Sequence, residues 1–347
     1  MPFTSPGIRS RLHLKLLLLA MLISIIPPLK AGEESSIQKS VGKLVPLPRS
    51  APVSKNNPNT EAKVSLGKQL FFDLRLSGDN KISCATCHSP QKAFADGLPK
   101  GKGVDGKTIK RNTPTVLNTA FYKQLLWDGR ANSLEEHALG PIKSPHEMNQ
   151  NLDDLERELN LELGYVNQFS DVFGTRVTRQ GIAKALAAFQ RTLISGPSPF
   201  DRYLAGDENA LSDDAKRGFE LFKNEAGCAR CHHGPLLSDG RFYRLGVKSK
   251  DQGRGAITGK KNDNYKFRTP SLRNIAETGP YMHNGSQATL EDVVTFYYRG
   301  IPQTPRNGQK LDAKPLLGNS FTEIAYIVAF LESLSGSVPK ATARKLR

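Results

Sequence analysis

Disulfide bridges are the first thing this chain does without. It has four cysteines in 347 residues, and all four are committed to two short motifs, so none is left to staple a small secreted fold. Long apolar runs are missing too: residues 16–26 fall short of the ~20 residues that a membrane-spanning helix needs. Alternating apolar and polar positions are scarce, which argues against an all-β architecture. Lysine and arginine outnumber aspartate and glutamate by 49 to 33, for a formal charge of +16. Even so, no basic stretch is dense enough to read as a nucleic-acid tract, and a solvated surface is the commoner meaning of such a charge. Tryptophan occurs once, as Trp127.

What the cysteines do form is Cys84-Ala85-Thr86-Cys87-His88 and Cys228-Ala229-Arg230-Cys231-His232. In a Cys-x-x-Cys-His motif the two thiols make thioether bonds to haem vinyl groups and the histidine ligates the iron from the proximal side. A four-cysteine zinc site or a pair of redox dithiols is the alternative, and neither requires the histidines. With only 7 histidines in the chain, their placement after both pairs favours two covalently bound haem c groups.

Arg9, Arg11 and Lys15 precede the apolar run, the order of a secretory signal. Cleavage after Ala31 is expected, with an uncleaved anchor as the alternative; removing Arg9, Arg11, Lys15 and Lys30 lowers the charge from +16 to +12. Export suits c-type haem attachment, so the expected compartment is the periplasm, with no stable membrane span after cleavage.

A pattern then appears twice. Gly67-x-x-Leu70-Phe71 precedes the first haem motif and Gly218-x-x-Leu221-Phe222 the second. An apolar stripe at helical spacing closes each copy: Ile182, Leu186, Phe189 and Leu193, then Ile324, Ile327, Val328 and Leu331. Residues 89–130 and 233–288 are punctuated by Gly, Pro, Asn and Asp and read as loops around the haems. The expected fold class is mainly α, two tandem cytochrome-c-like haem domains with long loops. The expected divisions are a signal peptide over 1–31, a linker or surface strap over 32–59, domains over 60–203 and 204–335, and a tail over 336–347.

The runs Leu66-Gly67-Lys68-Gln69-Leu70-Phe71-Phe72-Asp73, Arg111-Asn112-Thr113-Pro114-Thr115-Val116-Leu117-Asn118, Trp127-Asp128-Gly129-Arg130-Ala131 and Pro280-Tyr281-Met282-His283-Asn284-Gly285 resemble the bacterial di-haem cytochrome c peroxidase superfamily, which includes the MauG enzymes. The resemblance spans about residues 60–335. It implies that the haem on His88 is the peroxide site and that the haem on His232 passes or stores electrons. It also implies Glu147 as the catalytic carboxylate, Pro141 in the same distal pocket, and Trp127 as a relay between the haems. A calcium ion is implied as well, held by the Asn112 side chain and the carbonyls of Thr278 and Pro280, with water completing the shell.

Residue chemistry supports parts of this. Breaking a peroxide O–O bond needs a group that takes a proton from one oxygen and gives it to the other, work for a carboxylate such as Glu147 in its proline-stiffened stretch. A solvated loop glutamate is the plain alternative there, and core packing is the plain alternative for Trp127. Two residues depart from the family: His137 stands where glutamine is common and His146 where an apolar residue is usual. Thr289-Leu290-Glu291-Asp292 reads as a capping box opening a helix on which Leu290, Val293, Val294 and Tyr297 share a face. Tyr297 therefore points inward, and the resemblance implies it as the distal ligand of the second iron. A methionine is usual there in the peroxidases and a tyrosine in MauG. A buried tyrosine on a haem propionate, with Met282 or nothing on the iron, is the alternative, and Tyr298 is a second candidate. Ala226 replaces the surface tryptophan through which MauG draws electrons. Loop 94–110 holds no histidine or methionine that would block the first iron.

The expected activity is reduction of hydrogen peroxide with electrons from a small periplasmic cytochrome c or cupredoxin. A MauG-like oxidase and a plain di-haem electron carrier remain beside it, and a homodimer stays open.

Overall fold

In the computed structural model, residues 1–2, 42–52, 54–300 and 321–342 are described. The expected signal peptide and its cleavage point lie outside the described residues, apart from the first two. The chain divides into Met1–Ser40 and Val41–Arg347, and all the described helices and strands belong to the second unit. Helices dominate, as expected, and the regular strands among the described residues are β1 (Phe242–Tyr243) and β2 (Phe267–Arg268), paired antiparallel. No helix among the described residues is long and apolar enough to cross a membrane.

The helices that build the site are α1 (Glu61–Phe71), α2 (Leu134–Lys143), α3 (Leu152–Leu159), α4 (Leu163–Phe173), α5 (Arg179–Gln190), α6 (Pro199–Leu204), α7 (Asp213–Lys223), α8 (Leu290–Thr295) and α9 (Phe321–Glu332). Their starts follow from capping chemistry. Ser133, Thr178, Ser212 and Thr289 each accept a bond from a backbone N–H of the first turn, satisfying donors that the helix leaves unpaired.

Each sequence copy folds around one helix pair. α1 packs on α5 and α7 packs on α9, and the shared glycine explains the intimacy. A Cβ on Gly67 would overlap the Ala185 carbonyl, and one on Gly218 the Tyr326 carbonyl. Only glycine lets the backbones approach this closely. The phenylalanines that follow complete the contact: Phe71 meets Phe189 edge-on at 5.2 Å, and Phe222 meets Phe330 at 4.9 Å between ring centroids. All four are nearly fully buried, each contributing roughly 1.5–3 kcal/mol of apolar burial. Two hydrophobic clusters result. One gathers Leu66 to Leu193 around Phe71 and Phe189; the other gathers Phe200 to Leu334 around Phe330.

The segment before α1 is a strap. Leu44 packs on the second cluster, while Asn57 and Asn59 donate to the carbonyls of Lys184 and Ala188 on α5. The tail also returns: Gly196 N–H donates to Ser337 O at 2.8 Å, and Ala341 packs into the first cluster. Residues 343–347 lie outside the described residues.

Candidate active site

Cys84–Cys87 forms one helical turn capped by reciprocal bonds between Ser83 and Thr86, and His88 N–H closes onto Cys84 O at 2.8 Å. Cys228–Arg230 makes the matching tighter turn, with His232 N–H on Cys228 O at 2.9 Å. Each imidazole is then fixed from behind. His88 Nδ1 lies 3.1 Å from Phe94 O and His232 Nδ1 lies 2.9 Å from Leu237 O. A carbonyl only accepts, so Nδ1 carries the proton in both rings and Nε2 keeps its lone pair for a metal. Burial lowers the pKa of both histidines, outweighing their hydrogen bonds, and keeps that lone pair free at neutral pH.

A cavity of about 1010 Å³ opens against the second motif, at the upper end of the ~300–1,000 Å³ typical of sites for organic ligands. Cys228, Cys231 and His232 line it together with Val293, Val294 and Tyr297, and Arg230, Arg244, Lys248 and Lys250 also border it. Two thiols, an imidazole with a free Nε2, apolar walls and cations suited to propionates fit a covalently held haem. Trp127 and Asn112 of the first half reach the same cavity, as do Thr278, Pro280 and Met282.

At the first motif, Cys84 packs against the cluster that contains Ala138 and Ile142 of α2. The Cys87 thiol is pushed up to about 11 by burial, then by the nearby carboxylates of Asp96 and Glu147. Glu147 is therefore a neighbour of the first haem attachment. Its turn folds back on Pro141, whose carbonyl accepts from Ser144 N–H at 3.3 Å and Met148 N–H at 3.2 Å. Loop 94–110 is pinned to the same turn: Val104 N–H donates to Glu147 O at 2.8 Å, and a Cβ on Gly103 would overlap His146 O. His146 is exposed. His137 is partly buried, and its fully enclosed Nδ1 has no partner.

The two halves repeat in backbone detail. Asn118 and Asn274 are both left-handed, at φ 61° and 56°, and Leu126 and Met282 both sit at φ 68°. Bridge Leu125–Ala131 matches Tyr281–Gln287, and cap Ser133 matches Thr289. The separation is 156 positions every time. In that register Trp127 matches His283, His137 matches Val293, and Pro141 matches Tyr297.

Trp127 sits at the junction of the halves. Its Nε1 donates to Asn112 O at 3.0 Å, and Asn112 N–H donates to His283 O at 2.9 Å. Asn112 Nδ2 donates to Pro280 O at 3.1 Å, so two of the three expected calcium ligands meet, through the amide nitrogen. Among the described residues no group of three or more His, Cys, Asp or Glu side chains is placed to hold a metal ion.

Tyr297 was expected on an unbroken α-helical face with Leu290, Val293 and Val294. Instead α8 ends at Thr295 and a π-turn follows over Phe296–Gly300. The wider turn turns both tyrosines inward. Tyr297 lines the cavity, with its phenol pKa raised by burial and then by Cys228 and Cys231. Tyr298 is 7% exposed within the second cluster, and its hydroxyl reaches Glu323 at 3.3 Å. Ala226 lines the cavity wall.

The profile of the family described as di-haem cytochrome c peroxidase matches residues 61–209. The methylamine utilization protein MauG of Methylorubrum extorquens is 43% identical over 307 residues, covering 86% of this chain and 85% of that protein. The cytochrome c551 peroxidase of Pseudomonas aeruginosa is 35% identical over 92% of both chains. This chain belongs to the di-haem cytochrome c peroxidase and MauG family. Among solved structures, a MauG-like protein associated with microbial copper homeostasis superposes with TM-score 0.73 at 31% identity, covering 85% of this chain and 95% of that one.

Family membership makes the chain an oxidoreductase of the di-haem peroxidase type with two haem groups. Relatives named for MauG and for cytochrome c peroxidase both align along most of it, so the family alone leaves the substrate undivided. Sequence reasoning missed what grips the Trp127 loop. Arg111 spans Asp128 and Asp251, Arg254 donates to the Asp128 and Gly129 carbonyls, and Arg268 to that of Leu126. The pairing joins positions 140 apart in the case of Arg111 and Asp251, which no local pattern signals.

Proposed function

We propose that this family member is a periplasmic peroxidase that reduces hydrogen peroxide to water, drawing two electrons and two protons per peroxide, with electrons delivered singly by a small cytochrome c or cupredoxin. The observation that carries the reading is the asymmetry of the repeat. Tyr297, a side chain able to close an iron, is matched in the other half by Pro141, which has no ligating side chain. Once bound, one haem would thereby be closed by Tyr297 for electron transfer, and the other would be left without a side-chain ligand on the Glu147 side.

When bound, the haems supply the redox equivalents and an open coordination position for peroxide. The chain supplies the rest. His88 and His232 hold the proximal faces, each oriented by a carbonyl. Glu147, beside the first motif, takes the proton from one peroxide oxygen and returns it to the other, and Pro141 keeps that face free. Trp127 stands between the sites, where an oxidisable ring shortens the electron's path. Asn112, with its amide turned to present Oδ1, and the carbonyls of Thr278 and Pro280 would offer three oxygens to a calcium ion, a hard-cation set completed by water. The haem domains would be residues 60–203 and 204–335, with the first hydrophobic cluster mainly in the one and the second mainly in the other, although Phe200 of α6 packs into the second. A mature charge of +12 would steer an acidic donor.

A MauG-like oxidase is the second reading, favoured by Tyr297 and by the 43% identity to a MauG, and disfavoured by Ala226, which offers no oxidisable ring. An electron carrier would need both irons closed, and neither Pro141 nor loop 94–110 supplies a usual ligand. Stopped-flow mixing of the fully oxidised holoprotein with hydrogen peroxide tests the proposal, followed by a screen of cytochrome and copper-protein donors. The expected result is a reaction without prior reduction and turnover with at least one donor. A wholly low-spin protein that stays inert until one electron is added would overturn it.

A further inference from the structure

Tyr243 lines the second cavity beside Cys231 and His232 and has no part in the roles above. β1 carries it to a place where its hydroxyl meets two groups of the haem motif and the turn that follows. It donates to Asp239 Oδ2 at 2.6 Å, and the Cys231 side chain is within hydrogen-bond reach of the same hydroxyl. Asp239 is itself tied to the motif, through its N–H on Cys231 O at 2.8 Å, while its Oδ1 accepts from Arg241 N–H at 2.9 Å. Oδ2 is thereby left to the phenol. Two other tyrosines on the cavity wall lack such a partner. Tyr281 donates to Ile275 O at 3.0 Å, a carbonyl that takes up no proton at working pH, and the enclosed Tyr122 hydroxyl has no hydrogen-bond partner among the described residues. Tyr243 and Asp239 are both half-buried, so the pair runs from the cavity towards solvent. At rest the phenol keeps its proton, because burial, then the bond to Asp239, raise its pKa. Loss of an electron turns a phenol into a strong acid, so its oxidation needs a base within hydrogen-bond reach. Asp239 is such a base.

We propose that Tyr243 is an oxidisable relay between the second haem and the protein surface, with Asp239 as its proton acceptor. This rests on the proposed reaction with peroxide, whose oxidising equivalents the haems hold. The step balances. One electron passes from the ring to a haem left oxidised by peroxide, the phenolic O–H bond breaks, and its proton forms a new O–H bond on Asp239 Oδ2. When a one-electron donor reaches the ring, the tyrosyl radical takes up that electron and the same proton returns from Asp239. The net passage is a single electron into the haem, and the donor need touch only the ring.

Rapid freeze-quench EPR is the test. Ferric holoproteins of wild type, Tyr243→Phe and Asp239→Asn are mixed with hydrogen peroxide and no donor, with haem content and circular dichroism as controls. Wild type is expected to show an organic radical whose hyperfine pattern collapses when the protein is produced with ring-deuterated tyrosine. Tyr243→Phe keeps the ring's packing and should lose that signal. Asp239→Asn keeps an acceptor for the hydroxyl but takes up no proton, and should form the radical about two orders of magnitude more slowly, the scale of a general base. A tyrosyl signal that survives in Tyr243→Phe, or its absence from a wild type that consumes peroxide, would overturn the relay and leave the peroxidase reading standing. Radical formation in Asp239→Asn within about twofold of wild type would overturn the part given to Asp239. If wild type does not react with peroxide at all, the peroxidase reading itself fails, and this inference with it.

Discussion

Arg273→Met should unsettle the second haem site from a distance. Arg273 is 2% exposed, and its guanidinium spends every arm: Nη1 on Asp201 Oδ1 at 2.7 Å, Nε on Pro235 O at 2.9 Å and Nη2 on Val45 O at 3.1 Å. It thus ties the strap, α6 and the turn after the second haem motif to one point. Burial lowers its pKa and Asp201 raises it back only in part, but arginine stays charged at any working pH. Breaking such a buried pair costs about 3–5 kcal/mol, chiefly because the partner charge is left behind. Asp201 keeps donors from Ser198 N–H, Ser198 Oγ and Leu47 N–H, which puts the expected loss near the lower end, about 3 kcal/mol. For a chain of this size that is a fall of about 6 °C in the unfolding midpoint, read by far-UV circular dichroism of the holoprotein at fixed scan rate. Adding Asp201→Asn removes the stranded charge and should recover at least about 1 kcal/mol. The turn at Pro235 also carries Leu237 O, which orients His232, so the EPR signal of the C-terminal haem should broaden in Arg273→Met. A midpoint within about 1 °C of wild type, with an unchanged signal, would refute the reasoning.

Glu147→Gln should retain both haems and the fold while slowing peroxide turnover by about two or more orders of magnitude; turnover within about twofold of wild type removes Glu147 from the chemistry. Tyr297→Met replaces a hard anionic ligand with a thioether and should raise the potential of the C-terminal haem, measured by spectroelectrochemistry, whereas an unchanged potential and low-spin signal would show that Tyr297 is not on the iron. Burial raises the pKa of Asp251, but its bonds from Arg111 and Gly253 win and hold it down at about 2. A depressed carboxylate stabilises the fold above its unfolded pKa and loses that contribution as pH falls from about 4 through about 2. Being only half-buried, it is worth about 1–2 kcal/mol, so Asp251→Asn should be less stable at neutral pH and show a shallower acid limb in urea unfolding; parallel limbs would contradict this.

The helical class, the two haem motifs, the paired Gly-x-x-Leu-Phe segments and the cap at Thr289 were all legible in the sequence, because each rests on chemistry within a few residues. A glycine signals close approach, a serine or threonine fits a helix start, and adjacent cysteines and histidine share one cofactor. Other features needed three dimensions. The π-turn at Phe296–Gly300 turned both tyrosines inward where an α-helical face had singled out Tyr297, because turn width depends on how α8 packs rather than on side-chain periodicity. His137 and His146 were equivalent as letters; packing exposed one and enclosed the other with an empty-handed nitrogen. The grip of Arg111, Arg254 and Arg268 on the Trp127 loop, and of Arg273 on the strap, joins residues up to 228 positions apart. Such contacts are chosen by the burial of charge between elements, which is a property of the assembled fold and leaves no mark in local sequence.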